Sequence, residues 1–154
     1  MNNFNCDRQV KDKAIEYFKS VGINKGFDFQ LDNNNNNNKY ARADIKFNYI
    51  KNNKSFPYEI EIKERTASTI NSYPDIMFEE EKLDYLLEQN KKGIHTYFLN
   101  VFKNGEAILY TVDDKLKYQT GISHQYKYTE KKCDTKINIP KIFLKIEDGK
   151  RIKI

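Results

Sequence analysis

The stretch Ala43-Asp44-Ile45-Lys46-Phe47-Asn48-Tyr49-Ile50-Lys51-Asn52-Asn53-Lys54-Ser55-Phe56-Pro57-Tyr58-Glu59-Ile60-Glu61-Ile62-Lys63 decides the fold. Ala43, Ile45, Phe47 and Tyr49 alternate with other residues, as do Phe56, Tyr58, Ile60 and Ile62, giving the period of two that marks a half-buried strand. Between the runs lies Asn52-Asn53, and Asn tolerates the positive φ of a tight hairpin turn. Such a turn sets Tyr49 opposite Phe56, Phe47 opposite Tyr58, Ile45 opposite Ile60 and Ala43 opposite Ile62. Every pair on that face is apolar, and a slip of one residue would turn them all to the other face. The same register sets Asp44 opposite Glu61, Lys46 opposite Glu59 and Arg42 opposite Lys63.

Upstream of the hairpin, Val10, Ala14, Tyr17 and Phe18 recur at helical spacing from about Asp7 to Lys19, and Gly22 is expected just past the helix end. Phe27, Phe29 and Leu31 alternate as a short strand. Asn33 to Asn38 form a homopolymeric run, expected to be a flexible loop tip with no side chain in a core and no function. Downstream, a helix is expected from about Pro74 to Lys92, with Ile76, Leu83, Leu86 and Leu87 as its apolar stripe and Gly93 ending it. Thr96 to Val101 read as a buried strand, and Asn104-Gly105 as a hairpin turn into Ala107 to Val112. Ile142 to Ile146 read as a late strand, whereas Asp113 to Tyr128 show no clear pattern. The order is helix, three strands, helix, strand, strand. One mixed α/β domain is expected over residues 1–154, with a core at about 7–112 and a basic C-terminal extension at about 113–154.

Composition narrows the function. Of 154 residues, 38% are hydrophobic, with eleven Tyr and ten Phe, which is enough for a core. No run approaches the roughly 20 apolar residues of a membrane span. No basic-then-apolar leader opens the chain, so a soluble, cytoplasmic protein with no membrane partner is expected. Cys6 and Cys133 have no metal-ligand spacing and read as reduced thiols, and His95 and His124 are too isolated for zinc. A metal here would be held by carboxylates, which selects a hard cation such as Mg²⁺. The net charge of +5 is uneven: residues 1–112 carry 16 basic and 16 acidic side chains, and residues 113–154 carry 11 and 6. The C-terminal excess fits a nucleic-acid-binding face or an ordinary lysine-rich surface.

The polar face of the hairpin carries the chemistry. Lys46 and Glu59 make an ordinary cross-strand ion pair. Two facing carboxylates, Asp44 and Glu61, are destabilising unless positive charge lies between them, and a divalent cation supplies it. Lys63 stands two residues from Glu61 on the same face. A carboxylate-held metal lowers the pKa of bound water and binds a phosphate oxygen, while an ammonium stabilises charge that develops on the phosphoryl group.

Asp44 followed by Glu61-Ile62-Lys63 on the next strand resembles the signature of the PD-(D/E)XK nuclease superfamily, whose core order is αβββαβ. The resemblance covers about residues 7–102. Glu61-Ile62-Lys63-Glu64-Arg65-Thr66, a polar loop and then Phe78-Glu79-Glu80-Glu81-Lys82-Leu83-Asp84-Tyr85-Leu86-Leu87 look similar to small phage-borne members. Ala43 stands where the superfamily's name has proline, a loss common among members.

The resemblance implies a restriction-endonuclease-like core with a central mixed β-sheet flanked by helices, and Mg²⁺-dependent cleavage of DNA, with Mn²⁺ as a substitute. It implies metal ligation by Asp44 and Glu61, helped by Glu16 of the first helix and the Ile62 carbonyl. Lys63 would act on the attacking water. Lys82 matches the helix Lys or Gln that often joins such sites, and Glu79 lies one turn earlier. Arg65 and Lys82 would contact the phosphate or shape the site, and Lys131, Lys132 and Lys136 would help bind DNA. A phage-encoded protein would work in the host cytoplasm. Oligomeric state, a homodimer included, stays open. The rivals are a catalytically inactive nucleic-acid-binding module on the same fold and a non-enzymatic interaction or inhibitor protein.

Overall fold

The computed structural model describes residues 8–38, 41–65, 69–72, 74–126 and 136–154, with the backbone alone for 122–126 and 136–139. Cys6, Lys131, Lys132 and Cys133 lie outside these residues, and so do the side chains of His124 and Lys136.

The hairpin forms in the register that alternation demands. Strands β2 (Ile45–Lys51) and β3 (Lys54–Glu64) pair Ile45 with Ile60, Lys46 with Glu59, Phe47 with Tyr58 and Tyr49 with Phe56. Asn52 and Asn53 take φ of 52° and 61°, the positive pair that a two-residue hairpin turn requires. The ladder stops at Ile45, one residue before Asp44. The Asp44 N–H still donates to the Ile60 carbonyl at 3.1 Å. Its side chain then replaces the next rung, with Oδ2 accepting the Ile62 N–H at 2.7 Å. The expected pairs Ala43–Ile62 and Asp44–Glu61 are therefore not ladder pairs.

β1 (Asp28–Leu31) adds antiparallel to β2, and β5 (His95–Val101) adds parallel to β3. β6 (Glu106–Thr111) and β9 (Lys150–Lys153) complete a six-stranded mixed sheet of order β1-β2-β3-β5-β6-β9. Pro57 lies just before β3 meets β5 at Tyr58, so its missing N–H interrupts no rung on that side.

Each face of the sheet has its own core. Helix α1 (Arg8–Asn24) lays Ala14, Ile15 and Phe18 against Ile45, Phe47, Ile60, Ile62 and Leu99. On the other face, helix α3 (Glu80–Lys91) packs Leu83 and Leu86 with Phe98, Ile108 and Tyr110. Glu59 and Glu61 alternate with Ile60 and Ile62, so they point to the α3 side.

Three expectations need correction. Residues expected to open a helix at Pro74 form strand β4 (Asp75–Glu79), and α3 starts only at Glu80. Ile76 and Phe78 are buried and alternate with Asp75, Met77 and Glu79, which is the strand period. β4 is an edge of a second, three-stranded sheet of order β4-β8-β7, with β7 at Gln119–Tyr126 and β8 at Lys136–Lys145. The described residues of 113–154 thus supply strands to both sheets, β7 and β8 to this one and β9 to the larger one.

Second, α1 runs through Gly22 to Asn24. Gly22 is needed for close approach rather than termination, because a Cβ there would lie 2.3 Å from Tyr49 Cε1. The Tyr49 hydroxyl donates to the Phe18 carbonyl at 2.5 Å, so the ring cannot easily retreat. Gly22→Ala should lower stability by about 1–3 kcal/mol, the range for overpacking. Thermal melting checks this, and an unchanged midpoint would show that α1 can shift on the sheet.

Third, Asn33–Asn36 form one helical turn, α2, with Asp32 as N-cap accepting the Asn35 N–H at 3.1 Å. The run is not a bare loop tip, since Asn35 is 9% exposed and its amide donates to the Ala43 carbonyl at 3.1 Å.

Candidate active site

Asp44, just ahead of β2, and Glu61, within β3, lie side by side, and Lys82 from the first turn of α3 reaches Glu61. The Lys82 ammonium contacts Glu61 Oε1. Glu61 is 5% exposed. Burial first, and the adjacent Asp44 carboxylate second, push its carboxyl up to about 7, against the pull of Lys82. Burial also holds Asp44 above its ordinary value, opposed by the Ile62 N–H and the ammonium groups of Lys82, Lys11 and Lys63. Burial by itself would lower Lys82, but Glu61, Glu79 and Asp44 outweigh it and raise it.

Lys63 is exposed at the edge of this group. Loss of hydration, then Arg65 and Lys82, hold its pKa below the ordinary lysine value, with Glu79 acting the other way. A small cleft of about 170 Å³ opens among Arg42, Glu61, Glu79, Glu81, Lys82 and Tyr85. A larger cleft of about 750 Å³, with Tyr118, Phe143 and Arg151 in its wall, contains none of the Asp44–Glu61 group. Size does not decide between them. Mutually repelling carboxylates with displaced titration are the stronger mark of chemistry, and one of the pair, Glu61, lines the small cleft.

Glu59 makes the contrast. It is 2% exposed and accepts from Tyr85 Oη at 2.6 Å and Gln89 Nε2 at 2.8 Å, with Lys46 Nζ at 3.1 Å. These donors consume its capacity and tie α3 to β3. The Arg42 guanidinium caps the arrangement, 4.7 Å from the centre of the Tyr85 ring.

The structure thus brings together Asp44, Glu61, Lys63 and Lys82. Ile62 takes part through its N–H on Asp44. Glu16 is not brought in: it is exposed on α1, which packs on the sheet face opposite Glu61. The α1 charge that reaches Asp44 is Lys11. Arg65 is used internally, with Nε donating to Asn100 Oδ1 at 2.7 Å and Nη2 to the Met77 carbonyl, so it joins β3 to β5 and β4. Its placement fits shaping the site better than reaching for phosphate. Glu79 ends β4 and pairs with Lys141 of β8 at 3.4 Å, and Lys141 is itself 4% exposed.

Lys11, Asn35 and Lys141 escape a sequence reading. Lys141 pairs with Glu79 only through a strand that resembles the start of a helix, and Asn35 hides in a homopolymer. A signal for Lys141 does exist, in the strand period of Asp75–Glu79 beside the late apolar run.

The donor set fits a hard divalent cation. Asp44 and Glu61 supply two carboxylates whose burial and repulsion Lys82 compensates only in part, since both still titrate above their ordinary values. Among the described residues no cluster of three or more His, Cys, Asp or Glu side chains could hold a metal. One or two carboxylates, with water and phosphate oxygens completing the shell, is a normal Mg²⁺ arrangement.

Comparison with family models, with curated proteins and with solved structures finds no match for the chain. The class that fold and site define is a mixed α/β protein with a carboxylate pair, buried Glu61 and half-buried Asp44, at the open end of a β-hairpin. No described helix is long and apolar enough to cross a membrane.

Proposed function

We propose that this chain is a Mg²⁺-dependent nuclease that hydrolyses phosphodiester bonds in DNA, built on a restriction-endonuclease-like core of PD-(D/E)XK type. The observation that carries the reading is the Asp44–Glu61 pair, Glu61 buried and Asp44 half-buried, with Lys82 acting on both carboxylates and Lys63 acting on Asp44 and Lys82. The order α1, β1, β2, β3, α3, β5 supports it, since it follows αβββαβ once the single turn α2 and strand β4 are both taken as insertions.

Asp44 and Glu61 would hold Mg²⁺, or Mn²⁺ in its place, which supplies an activated water and a Lewis acid on the phosphate. Asp44 is oriented by the Ile62 N–H, so its second oxygen stays available. Lys63, held below its ordinary pKa, positions the water and stabilises developing charge. Lys82, which contacts Glu61, would be free to contact the phosphate once a cation supplied the positive charge there. The test is cleavage of duplex, single-stranded and branched DNA, and of RNA, with Mg²⁺, Mn²⁺, Ca²⁺ or EDTA. Cleavage of DNA that EDTA abolishes is expected, and none with any substrate or metal would overturn the reading.

One observation favours a second reading, a nucleic-acid-binding module without activity. Lys82 already neutralises part of the carboxylate pair and Arg65 is tied into the fold. DNA binding that ignores divalent cations would select it.

The C-terminal charge excess leads to a separate expectation about affinity. Changing Lys131, Lys132 and Lys136 to Ala should weaken DNA binding and flatten the slope of log affinity against log salt, by about 0.9 for each phosphate no longer neutralised. An unchanged slope would place the DNA face elsewhere.

A further inference from the structure

Asp44 lies beyond the last rung of β2, and residues 42–44 form no strand. Its N–H on the Ile60 carbonyl and its Oδ2 under the Ile62 N–H hold it to β3, and a further contact from outside the sheet holds the peptide that leads into it. The Ala43 carbonyl, one peptide earlier, accepts from Asn35 Nδ2 at 3.1 Å in a buried hydrogen bond. Asn35 is itself fixed by Asp32, whose Oδ1 accepts its N–H. α2 is in turn tied to α1, because Lys11 Nζ donates to the Asn36 carbonyl at 3.1 Å while its charge acts on Asp44.

We propose that the asparagine tract is a positioning device for Asp44, working through the side chain of Asn35. The inference rests on the nuclease reading for its purpose, but its geometry stands apart from that reading. Asn33, Asn34, Asn37 and Asn38 are exposed. Asn36 contributes its backbone carbonyl, and its side-chain Oδ1 is buried with no partner. Asn35 is therefore a positioning residue within a run of chemically identical neighbours, which gives the test internal controls. Removing its amide strips the Ala43 carbonyl of its buried donor and leaves the Ala43–Asp44 peptide held from its N–H side, by the bond to the Ile60 carbonyl, about which it can swing. The Ile62 N–H then loses Asp44 Oδ2, and the carboxylate pair loses its alignment.

The test compares the full chain with Asn35→Ala, Asn34→Ala and Asn36→Ala by amide hydrogen exchange and by Mn²⁺ titration calorimetry. Asn35→Ala should reduce protection of the Ile62 amide while leaving the Phe47 and Tyr58 amides of the hairpin ladder protected. It should also weaken Mn²⁺ binding about tenfold, the lower end for loss of a group that orients a metal ligand. Asn34→Ala should change neither quantity. Asn36→Ala should leave Ile62 protected and keep or raise the melting temperature, since an unpartnered buried oxygen is removed. Unchanged Ile62 protection in Asn35→Ala would overturn the proposal, as would equal losses in Asn34→Ala. A wild type that binds no Mn²⁺, with Ile62 still deprotected in Asn35→Ala, would remove the metal reading and leave the positioning role standing.

Discussion

Lys63→Ala should leave the protein folded and reduce Mg²⁺-dependent cleavage by at least ~10²-fold, the scale for losing one preorganised electrostatic stabiliser. Folding should survive because Lys63 is exposed near the end of β3. Its removal relieves repulsion with Arg65 and Lys82, which adds to loss of hydration in holding its pKa down in the folded chain. The loss should fall on kcat, while DNA affinity and its salt dependence stay close to wild type, because one exposed lysine is a small share of a basic surface. Lys63→Arg should not restore the rate, since a broad planar guanidinium cannot replace a compact ammonium beside a water. Lys82→Ala separates the two lysines. Lys82 touches Glu61 directly, so its loss should tighten Mn²⁺ binding even as it slows cleavage. A folded Lys63→Ala protein that cuts at the wild-type rate would remove Lys63 from the chemistry.

Local patterning makes some of this site legible in the sequence and hides the rest. The β2–β3 register is readable because two alternating runs flank a turn of the right residues, and each level of evidence agrees with the next. β4 is not readable as a strand, because it passes into α3 without a loop. Ile76 and Leu83 are seven residues apart, a spacing that suits one helical stripe as well as a strand followed by a helix. The polar neighbours of Ile76 and Phe78 carry the strand period, but it lasts only five residues. Lys141 follows the same fate, as its place depends on a partner strand more than sixty residues away.

A homopolymer has no pattern to read, so Asn35 is selected purely by its tertiary hydrogen bond to Ala43. Arg65 and Glu16 show the converse. Residue type and position suggest a phosphate ligand and a metal ligand, whereas packing puts one into internal hydrogen bonds and the other out in solvent. Charge type along a chain tells what a side chain is able to do, and only the fold tells whether its capacity is already used.

Glu59 and Glu61 bring that distinction to a measurement. Both lie on β3 on the α3 side of the sheet, and both are buried. Glu59 spends its oxygens on Tyr85, Gln89 and Lys46, so Glu59→Gln places an amide N–H₂ against donors. It should cost about 2–4 kcal/mol, more than an exposed ion pair, through unsatisfied buried groups and a loosened α3. Glu61 has Lys82 as its side-chain donor, and Glu61→Gln keeps an oxygen that can accept from that half-exposed ammonium, so the loss is smaller than at Glu59 with its three donors. Against that small cost stands relief from Asp44.

The sign follows from the titration. Glu61 rises from 4.5 to about 7 on folding, and Asp44 also rises. A carboxyl with a raised folded pKa favours the folded state while protonated. That contribution is complete below about 4.5 and is lost as pH climbs to about 7. The metal-free wild type should therefore melt at progressively lower temperature across that window, and Glu61→Gln should flatten the decline. At pH 8 Glu61→Gln and Asp44→Asn should melt no lower than metal-free wild type, yet neither should cleave DNA. Mg²⁺ should raise the wild-type midpoint at pH 8 and do little for either variant. Glu59→Gln should melt lower at every pH and retain Mg²⁺-dependent cleavage while it is folded. If Glu59→Gln is inactive though folded and Glu61→Gln still cuts, the metal belongs at Glu59 and the Asp44–Glu61 site is wrong.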